Sequence, residues 1–342
     1  MRQRLPFEVS IETSTACNYK CGFCFAKNYA SGCSAKPQGK KRLLLAIKRI
    51  AESGVQRVRF TGGEPLLRRD LPEIVSSAKK QGLFTSLNTN GSLFSEKIVR
   101  QLSGSLDDAL FSVHAFDGAG EAALSGKKGL FEKKIAAIKS LASEGVFVRA
   151  ATILSRPNIK NLEKFHSLVS TLPTGQWVLL RPIPNAADMA PVSQKEIGAA
   201  VEKLLLFNGA RKKKERFLIE NALPFCSYSP EKVSKVALGG IREDGHSSLF
   251  INAGMRINPS YFLGLPLGNA LEKGSIESAW NSVFMRRMRA LEFIADECHK
   301  CRFVLRCMSG SRFSALLCNG SLYALDPLAN PGKYAKSLFK QT

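Results

Sequence analysis

Cys17, Cys21 and Cys24 stand as Cys-x3-Cys-x2-Cys in the run Ser14-Thr15-Ala16-Cys17-Asn18-Tyr19-Lys20-Cys21-Gly22-Phe23-Cys24, directly after a short apolar segment. Three thiolates on one tight loop can hold three irons of a cubane iron–sulfur cluster. The fourth iron then has no protein ligand and is open to a small molecule. A zinc site is the alternative for such spacing. A second group follows near the C-terminus: Cys298-x2-Cys301-x5-Cys307, and then Cys318. Four thiolates can close a cluster with no open iron, suited to electron transfer or to stiffening a fold. A structural four-cysteine zinc site uses the same spacing. Cys33 and Cys226 lie outside both groups.

The elements around these loops alternate. Short β-rich runs predict strands over Phe7–Glu12, Val55–Phe60, Phe84–Thr89, Ala109–His114, Phe147–Leu154 and Gln176–Arg181. Longer amphipathic runs predict helices over Lys41–Glu52, Leu71–Lys80, Ser95–Leu102, Leu130–Ser143 and Asn161–Ser170. A helix between each pair of strands implies parallel pairing. Gly54, Gly82 and Gly145 follow three of the helices as C-caps. Asp70, with Pro72 and Glu73 behind it, reads as a capped helix start. Such a chain closes a barrel or opens a doubly wound sheet. A barrel carries its chemistry on the loops after the strand C-termini. The three-cysteine loop obeys that rule, as do Thr61-Gly62-Gly63-Glu64-Pro65 and Asn90-Gly91.

The pattern changes after about Arg181, where Pro182, Pro184 and Pro191 interrupt it. A helix is expected near Ser193–Phe207, followed by the basic run Arg211-Lys212-Lys213-Lys214-Glu215-Arg216. Hairpin-like stretches come next, around Ser247–Ile251 and Met255–Asn258. The implied organisation is a core over 1–190, a helical basic linker over 191–222, a cysteine-rich domain over 223–326 and a loose tail over 327–342.

No apolar run approaches the roughly 20 residues needed to cross a bilayer, and the N-terminus lacks an apolar signal core. A soluble cytoplasmic protein without membrane partners is expected. Its nine cysteines should then be reduced thiols used for ligation rather than disulfides. The net charge of +22 points to an anionic partner or to a solvated basic surface.

The first half resembles the radical S-adenosylmethionine (SAM) enzymes. Cys17, Cys21 and Cys24 match that family's cluster loop, and Phe23 the aromatic beside its last cysteine. Gly62-Gly63-Glu64 matches the glycine motif that contacts the SAM amino group. Asn88-Thr89-Asn90-Gly91 resembles the turn after the third strand, and Ser112 and His114 resemble positions near the ribose and methionine parts of SAM. Arg149 is either a contact to the SAM carboxylate or a structural ion pair. The resemblance implies an α/β fold: a partial (β/α)6 TIM-like barrel with a small C-terminal α+β cysteine-rich iron–sulfur domain. It also implies a [4Fe-4S] cluster that binds SAM. One departure concerns the arginine that related enzymes carry ahead of the fourth helix. Here the run reads Ser125-Gly126-Lys127-Lys128-Gly129, which leaves the charge to Lys127, Lys128 or Arg149.

The C-terminal segment resembles the SPASM extension of radical SAM peptide maturases, which carries two auxiliary clusters. Two of that extension's cysteines are missing: Pro259 and Ser260 occupy the hairpin position and Ser311 the later one. Cys226 is left an orphan, and the outer set Cys298, Cys301, Cys307 and Cys318 is complete. One auxiliary [4Fe-4S] cluster is therefore expected, in a degenerate, twitch-like domain. Tyr261 follows Ser260 where sulfatase maturases carry a catalytic Asp, which argues against that activity.

The resemblance further implies reductive cleavage of SAM to a 5′-deoxyadenosyl radical, and hydrogen abstraction from an unactivated carbon. The outcome would be oxidation or rearrangement of the substrate. The electron would come from a donor such as ferredoxin or flavodoxin. The substrate is a peptide, or a small anionic metabolite such as a carboxylated tetrapyrrole, nucleotide or sugar phosphate. The chain starts at its first barrel strand without a leader-binding domain, which weighs against the peptide. A nucleic-acid-binding protein with structural clusters is a third reading. It would need the basic runs Arg211–Arg216 and Met285-Arg286-Arg287-Met288-Arg289, but no interleaved aromatic stacking motif accompanies them. Tyr261, Cys226 and His246 are the candidates for a substrate-side group.

Overall fold

The computed structural model describes residues 5–24, 38–184, 191–210, 217–242 and 245–339. Cys33 and the basic run 211–216 lie outside the described residues. In chain order the barrel elements are β1 (Glu8–Ser14), α1 (Lys40–Glu52), β2 (Arg57–Gly62), α2 (Leu71–Lys80), β3 (Phe84–Thr89), α3 (Glu96–Leu102) and β4 (Asp108–Ser112). Then come α4 (Gly118–Ser125), α5 (Leu130–Ser143), β5 (Phe147–Ile153), α6 (Arg156–Lys160), α7 (Leu162–Ser170) and β6 (Gln176–Leu180). They are followed by α8 (Gln194–Ala210), β7 (Leu218–Ile219), α9 (Pro230–Val236), β8 (Ser248–Ile251), β9 (Arg256–Asn258) and β10 (Gly268–Asn269). The chain closes with α10 (Ser275–Trp280), α11 (Val283–Arg289), α12 (Val304–Cys307), α13 (Arg312–Asn319) and α14 (Ala335–Leu338).

The six expected strands and five expected helices are all present, within two residues at each end. Two helices are additional. α4 begins Gly118-Ala119-Gly120, which weakens its helical signal, but the Asp117 carboxylate accepts a hydrogen bond from the Gly120 amide at 2.7 Å and starts it. α6 is one short turn capped by Ser155. Asp70 does not cap α2 with its side chain. Its carboxylate accepts instead from Arg68, at 3.0 and 2.8 Å, because a charged bidentate partner outcompetes a single amide.

Strands β1 to β7 lie in sequence order and pair in parallel, in the order β10-β9-β8-β1-β2-β3-β4-β5-β6-β7. This is the barrel-type arrangement rather than a doubly wound one, since no strand order reverses around β1. The hairpin β8–β9 joins the same sheet through a parallel pairing of β8 with β1. The main core cluster runs from Val9, Phe60, Phe111 and Trp177 to Ile257, Trp280 and Cys307, and a second, small cluster of Met288, Phe293 and Phe313 lies in the C-terminal part. The end of the chain differs from a loose tail. Leu338 is 2% exposed, and its carbonyl accepts from the Arg302 amide at 2.9 Å. Leu328 packs against the core as well, so apolar side chains dock this segment.

Each strand alternates. One face (Val9, Ile11, Val58, Phe60, Leu87, Phe111, Val148) packs against the helices. The other face is polar, and at its N-terminal end the charges pair with one another. Arg59 makes a fork to Glu8 at 2.6 and 2.8 Å and donates to Asn88 at 3.0 Å. Arg149 makes a second fork to Asp108, at 2.7 and 2.6 Å. Burial alone would raise both carboxyls, but the arginine beside each holds it below its usual range. Of the two readings of Arg149, the ion pair is the one seen. Asn88 is likewise drawn into this network.

Candidate active site

The three-cysteine loop leaves the C-terminal end of β1, and its position is set by the glycine turn that ends β2. The Gly63 amide donates to the Ser14 carbonyl at 2.7 Å, and the Glu64 amide to the Ala16 carbonyl at 2.9 Å. These bonds carry the β1–β2 pairing onto the residue before Cys17. Glycine is required for this approach. A Cβ on Gly62 would sit 2.2 Å from the Ser14 oxygen, and one on Gly63 2.1 Å from the Ala16 oxygen. Gly62 also has a φ of +134°, which other residues rarely adopt.

Glu64 is fully buried. Its carboxylate accepts from Thr89 Oγ1 at 2.8 Å, from the Asn90 amide at 2.7 Å and from the Leu66 amide at 3.1 Å. It ties the second strand turn to the third. Burial pushes the Glu64 carboxyl up, against these three donors. The loop is fastened to the third turn as well: Asn18 donates to Ser92 Oγ at 2.8 Å, and Asn90 Nδ2 donates to Asn18 Oδ1 at 2.9 Å. The Asn90 side chain also reaches the Cys17 sulfur.

A third anchor was not anticipated. The Tyr19 hydroxyl donates to Glu121 Oε1 at 2.6 Å, and Lys134 Nζ lies 2.6 Å from the same oxygen. Lys134 also donates to the Ser112 carbonyl at 2.7 Å. Lys134 and Glu121 are 2% and 1% exposed. Lys134 is within electrostatic reach of Cys21, Glu64 and His114, so it is the positive charge beside the loop. Lys127 and Lys128 are exposed, and Arg149 is committed to Asp108. The only sequence signal for Lys134 is its place among the apolar positions of α5, where Ala137, Ile138 and Leu141 are buried with it.

The three thiols lie within electrostatic reach of one another. Burial, and then its neighbours Cys24 and Cys17, push the Cys21 thiol up to about 12. The Tyr19 amide donates to Cys17 Sγ at 3.5 Å. A compact trio of sulfurs with amide donors suits a cluster with one open corner. Among the described residues no three His, Cys, Asp or Glu groups converge as a single-ion site. Beside the trio, the Phe23 ring meets His114 edge-on, centroids 4.8 Å apart. His114 Nδ1 accepts from the Ile153 amide at 3.2 Å. Burial, aided by Lys134, lowers the His114 pKa to about 3, so the ring is neutral and its proton sits on Nε2.

Residues 11–169 match the Radical SAM superfamily. This chain carries a radical SAM domain. The relatives include an S-adenosylmethionine-dependent nucleotide dehydratase from Lacinutrix mariniflava, 27% identical over 53% of this chain and 40% of that protein. They also include an AdoMet-dependent heme synthase from Nitratidesulfovibrio vulgaris, 23% identical over 94% of this chain and 91% of that one. A PqqA peptide cyclase from Gluconobacter oxydans is 24% identical over 84% of this chain and 80% of its own length. These relatives are enzymes. In fold, the chain superposes on Streptococcus suis SuiB bound to S-adenosylmethionine with a TM-score of 0.75, at 17% identity, covering 96% of this chain and 78% of that one. The fold is thus a radical SAM partial barrel with a largely parallel sheet. No described helix is long and apolar enough to cross a membrane.

The remaining expected positions separate. At the C-terminal end of the radical SAM barrel, the Tyr261 hydroxyl donates to Glu12 Oε1 at 3.3 Å, and its ring packs on Phe250 at 4.0 Å. His246 precedes β8, which runs parallel to β1, so it lies at the opposite end from the cysteine loop. Of the second cysteine group, Cys298, Cys301 and Cys307 line one cavity, and the fourth cysteine in its wall is Cys226. Cys318 is exposed on α13, and its nearest charges are Asp326 and Arg181. In the basic run of α11, Met285 and Met288 are buried. Arg287 pairs with Glu292 at 2.7 Å, and Arg289 covers the Trp280 ring at 3.9 Å. Those two arginines of the run are engaged in contacts within the fold.

Proposed function

We propose that this chain is a radical SAM enzyme that abstracts hydrogen from a peptide or a small anionic metabolite, with Cys17, Cys21 and Cys24 as the ligands of its SAM cluster. The observation that carries the reading is the fastening of the cysteine loop. The Gly62-Gly63-Glu64 turn, the Asn90–Ser92 turn and the Tyr19–Glu121–Lys134 chain hold it from three sides. The cluster, when bound, supplies the electron that splits SAM. The protein's own work is placement. The Gly63 turn holds the loop against β2, and Phe23 and His114 form a neutral aromatic wall. Lys134 supplies a buried positive charge. Phe23, Gly62, Gly63, Asn90, Ser112 and His114 are the residues we assign to the SAM pocket. Glu64, Thr89, Asn88 and Arg149 support it from behind.

Glu12 and Tyr261 stand on the polar inner face, in the C-terminal half of the barrel, and are assigned to the substrate side. The Glu12 carboxyl is raised by burial, against the hydrogen bonds from Ala253 and Tyr261. The substrate reading rests on three facts. The PqqA peptide cyclase match supports a peptide. The net charge of +22 and the heme synthase match support an anionic metabolite. A flavodoxin or ferredoxin would deliver the electron.

The test is anaerobic incubation of the reconstituted protein with SAM and dithionite. Formation of 5′-deoxyadenosine and methionine is expected in wild type and not in the Cys17/Cys21/Cys24→Ala variant. Equal amounts from both would refute the assignment. Deuterium transfer into 5′-deoxyadenosine from labelled peptide or labelled metabolite pools then identifies the substrate class.

A further inference from the structure

We propose that Cys226, Cys298, Cys301 and Cys307 hold one four-thiolate iron–sulfur cluster, and that Cys318 takes no part in it. Spacing in the sequence favours Cys318, because it follows the other three closely and Cys226 is remote. The fold reverses this. Cys226 sits in the single turn Phe225–Ser227, and its side chain shares one cavity wall with Cys298, Cys301 and Cys307. The same cavity is closed by Pro331 and Leu338, from the docked C-terminal segment.

Two further observations point to thiolate ligation. Each of the four sulfurs has a hydrogen-bond donor aimed at it. The Phe225 amide donates to Cys307 Sγ at 3.4 Å, and Ser309 Oγ to Cys298 Sγ at 3.2 Å. The Asn330 backbone serves Cys226, and the Phe303 backbone serves Cys301. N–H and O–H donors to sulfur are how proteins stabilise and tune such clusters. Positive charge is present as well: Arg312, 2% exposed, is within reach of Cys298, and Arg302 of Cys301. A cluster on four thiolates carries net negative charge, which these arginines offset. Cys318 is absent from that cavity wall; its charged neighbours are Asp326, which would repel a thiolate, and Arg181.

The site is built from two segments far apart in the chain, the turn at Cys226 and the run Cys298–Ser309, and the C-terminal segment closes over it. Each thiol gives up its proton as an iron–sulfur bond forms, so assembly releases protons and locks the C-terminal segment against the turn at Cys226.

The test uses the full chain carrying Cys17→Ala, Cys21→Ala and Cys24→Ala. Only the C-terminal site is then left to fill, and the result is separate from that of the SAM chemistry. Anaerobic reconstitution with ferrous iron and sulfide should give about four irons and about four sulfides per chain, with an EPR signal on reduction. Adding Cys226→Ala should drop the iron below about one per chain. Adding Cys318→Ala should leave iron and EPR unchanged. Should Cys226→Ala lose its fold by circular dichroism, Cys226→Ser decides. A folded protein with shifted g-values supports ligation at this position, and an unchanged spectrum overturns it. Loss of iron on Cys318→Ala, or tightly held zinc in place of iron, also overturns the proposal.

Discussion

Lys134 and Glu121 form an ion pair at 2.6 Å in which both side chains are almost wholly buried. The pair lies between α5 and α4, and Tyr19 of the cysteine loop hangs from its acidic member. Removing one charge strands the other without water, a cost of about 3–5 kcal/mol. Lys134→Met is therefore expected to lower unfolding free energy by about that amount and to slow filling of the Cys17–Cys24 loop. The double variant Lys134→Met/Glu121→Gln should recover part of the loss. Urea denaturation of the four members of the cycle measures this. Additive effects of the two changes would show that the pair is not coupled.

Gly63 has no room for a side chain, since its Cβ would meet the Ala16 carbonyl at 2.1 Å. Gly63→Ala must push the cysteine loop away from β2, at a cost of about 1–3 kcal/mol by analogy with overpacking. The loop carries cluster ligands and the C-terminal site does not depend on it. The variant should thus lose about half its reconstituted iron, the half whose EPR signal responds to SAM. Full iron content with a normal SAM response would refute this role.

His114 is held neutral, its pKa lowered to about 3 by burial and by Lys134. A depressed folded pKa means that the unfolded state binds the extra proton. Stability is therefore fully present above about 6.5, the unfolded value, and falls as pH drops from there toward about 3. His246, lowered to about 4 by burial and by Arg289 and Arg312, acts in the same direction. His114→Gln should flatten the stability–pH slope between about pH 6 and 4 by close to one proton, leaving the share of His246. An unchanged slope in denaturant titrations across that range would mean that His114 is already protonated or already exposed.

Arg149 and Asp108 fill the N-terminal end of the barrel interior, together with Arg59 and Glu8. Arg149→Met should destabilise the protein by about 3–5 kcal/mol through the abandoned Asp108 carboxylate. It should leave the SAM dissociation constant within about twofold, because the arginine is spent on the fold. A tenfold loss of SAM affinity in a folded variant would instead make Arg149 a cofactor ligand.

The sequence alone determined much of the fold. Parallel order follows from strands that alternate with amphipathic helices, and the helix limits follow from caps and glycines that act locally. The cysteine loop and the Gly62-Gly63-Glu64 turn were also legible there, because each is a short contiguous run whose residue types are chemically demanding. The tertiary structure decided what depends on partners distant in sequence. It turned Glu64 inward to join two turns, committed Arg149 to Asp108 and recruited Lys134 as the charge beside the loop. It also exchanged Cys318 for Cys226 in the wall of the C-terminal cavity. Spacing along the chain measures proximity only within one loop or one helix. A ligand delivered from a turn far away along the chain carries no such signature, and only the packing of the strands and helices between them brings it into reach.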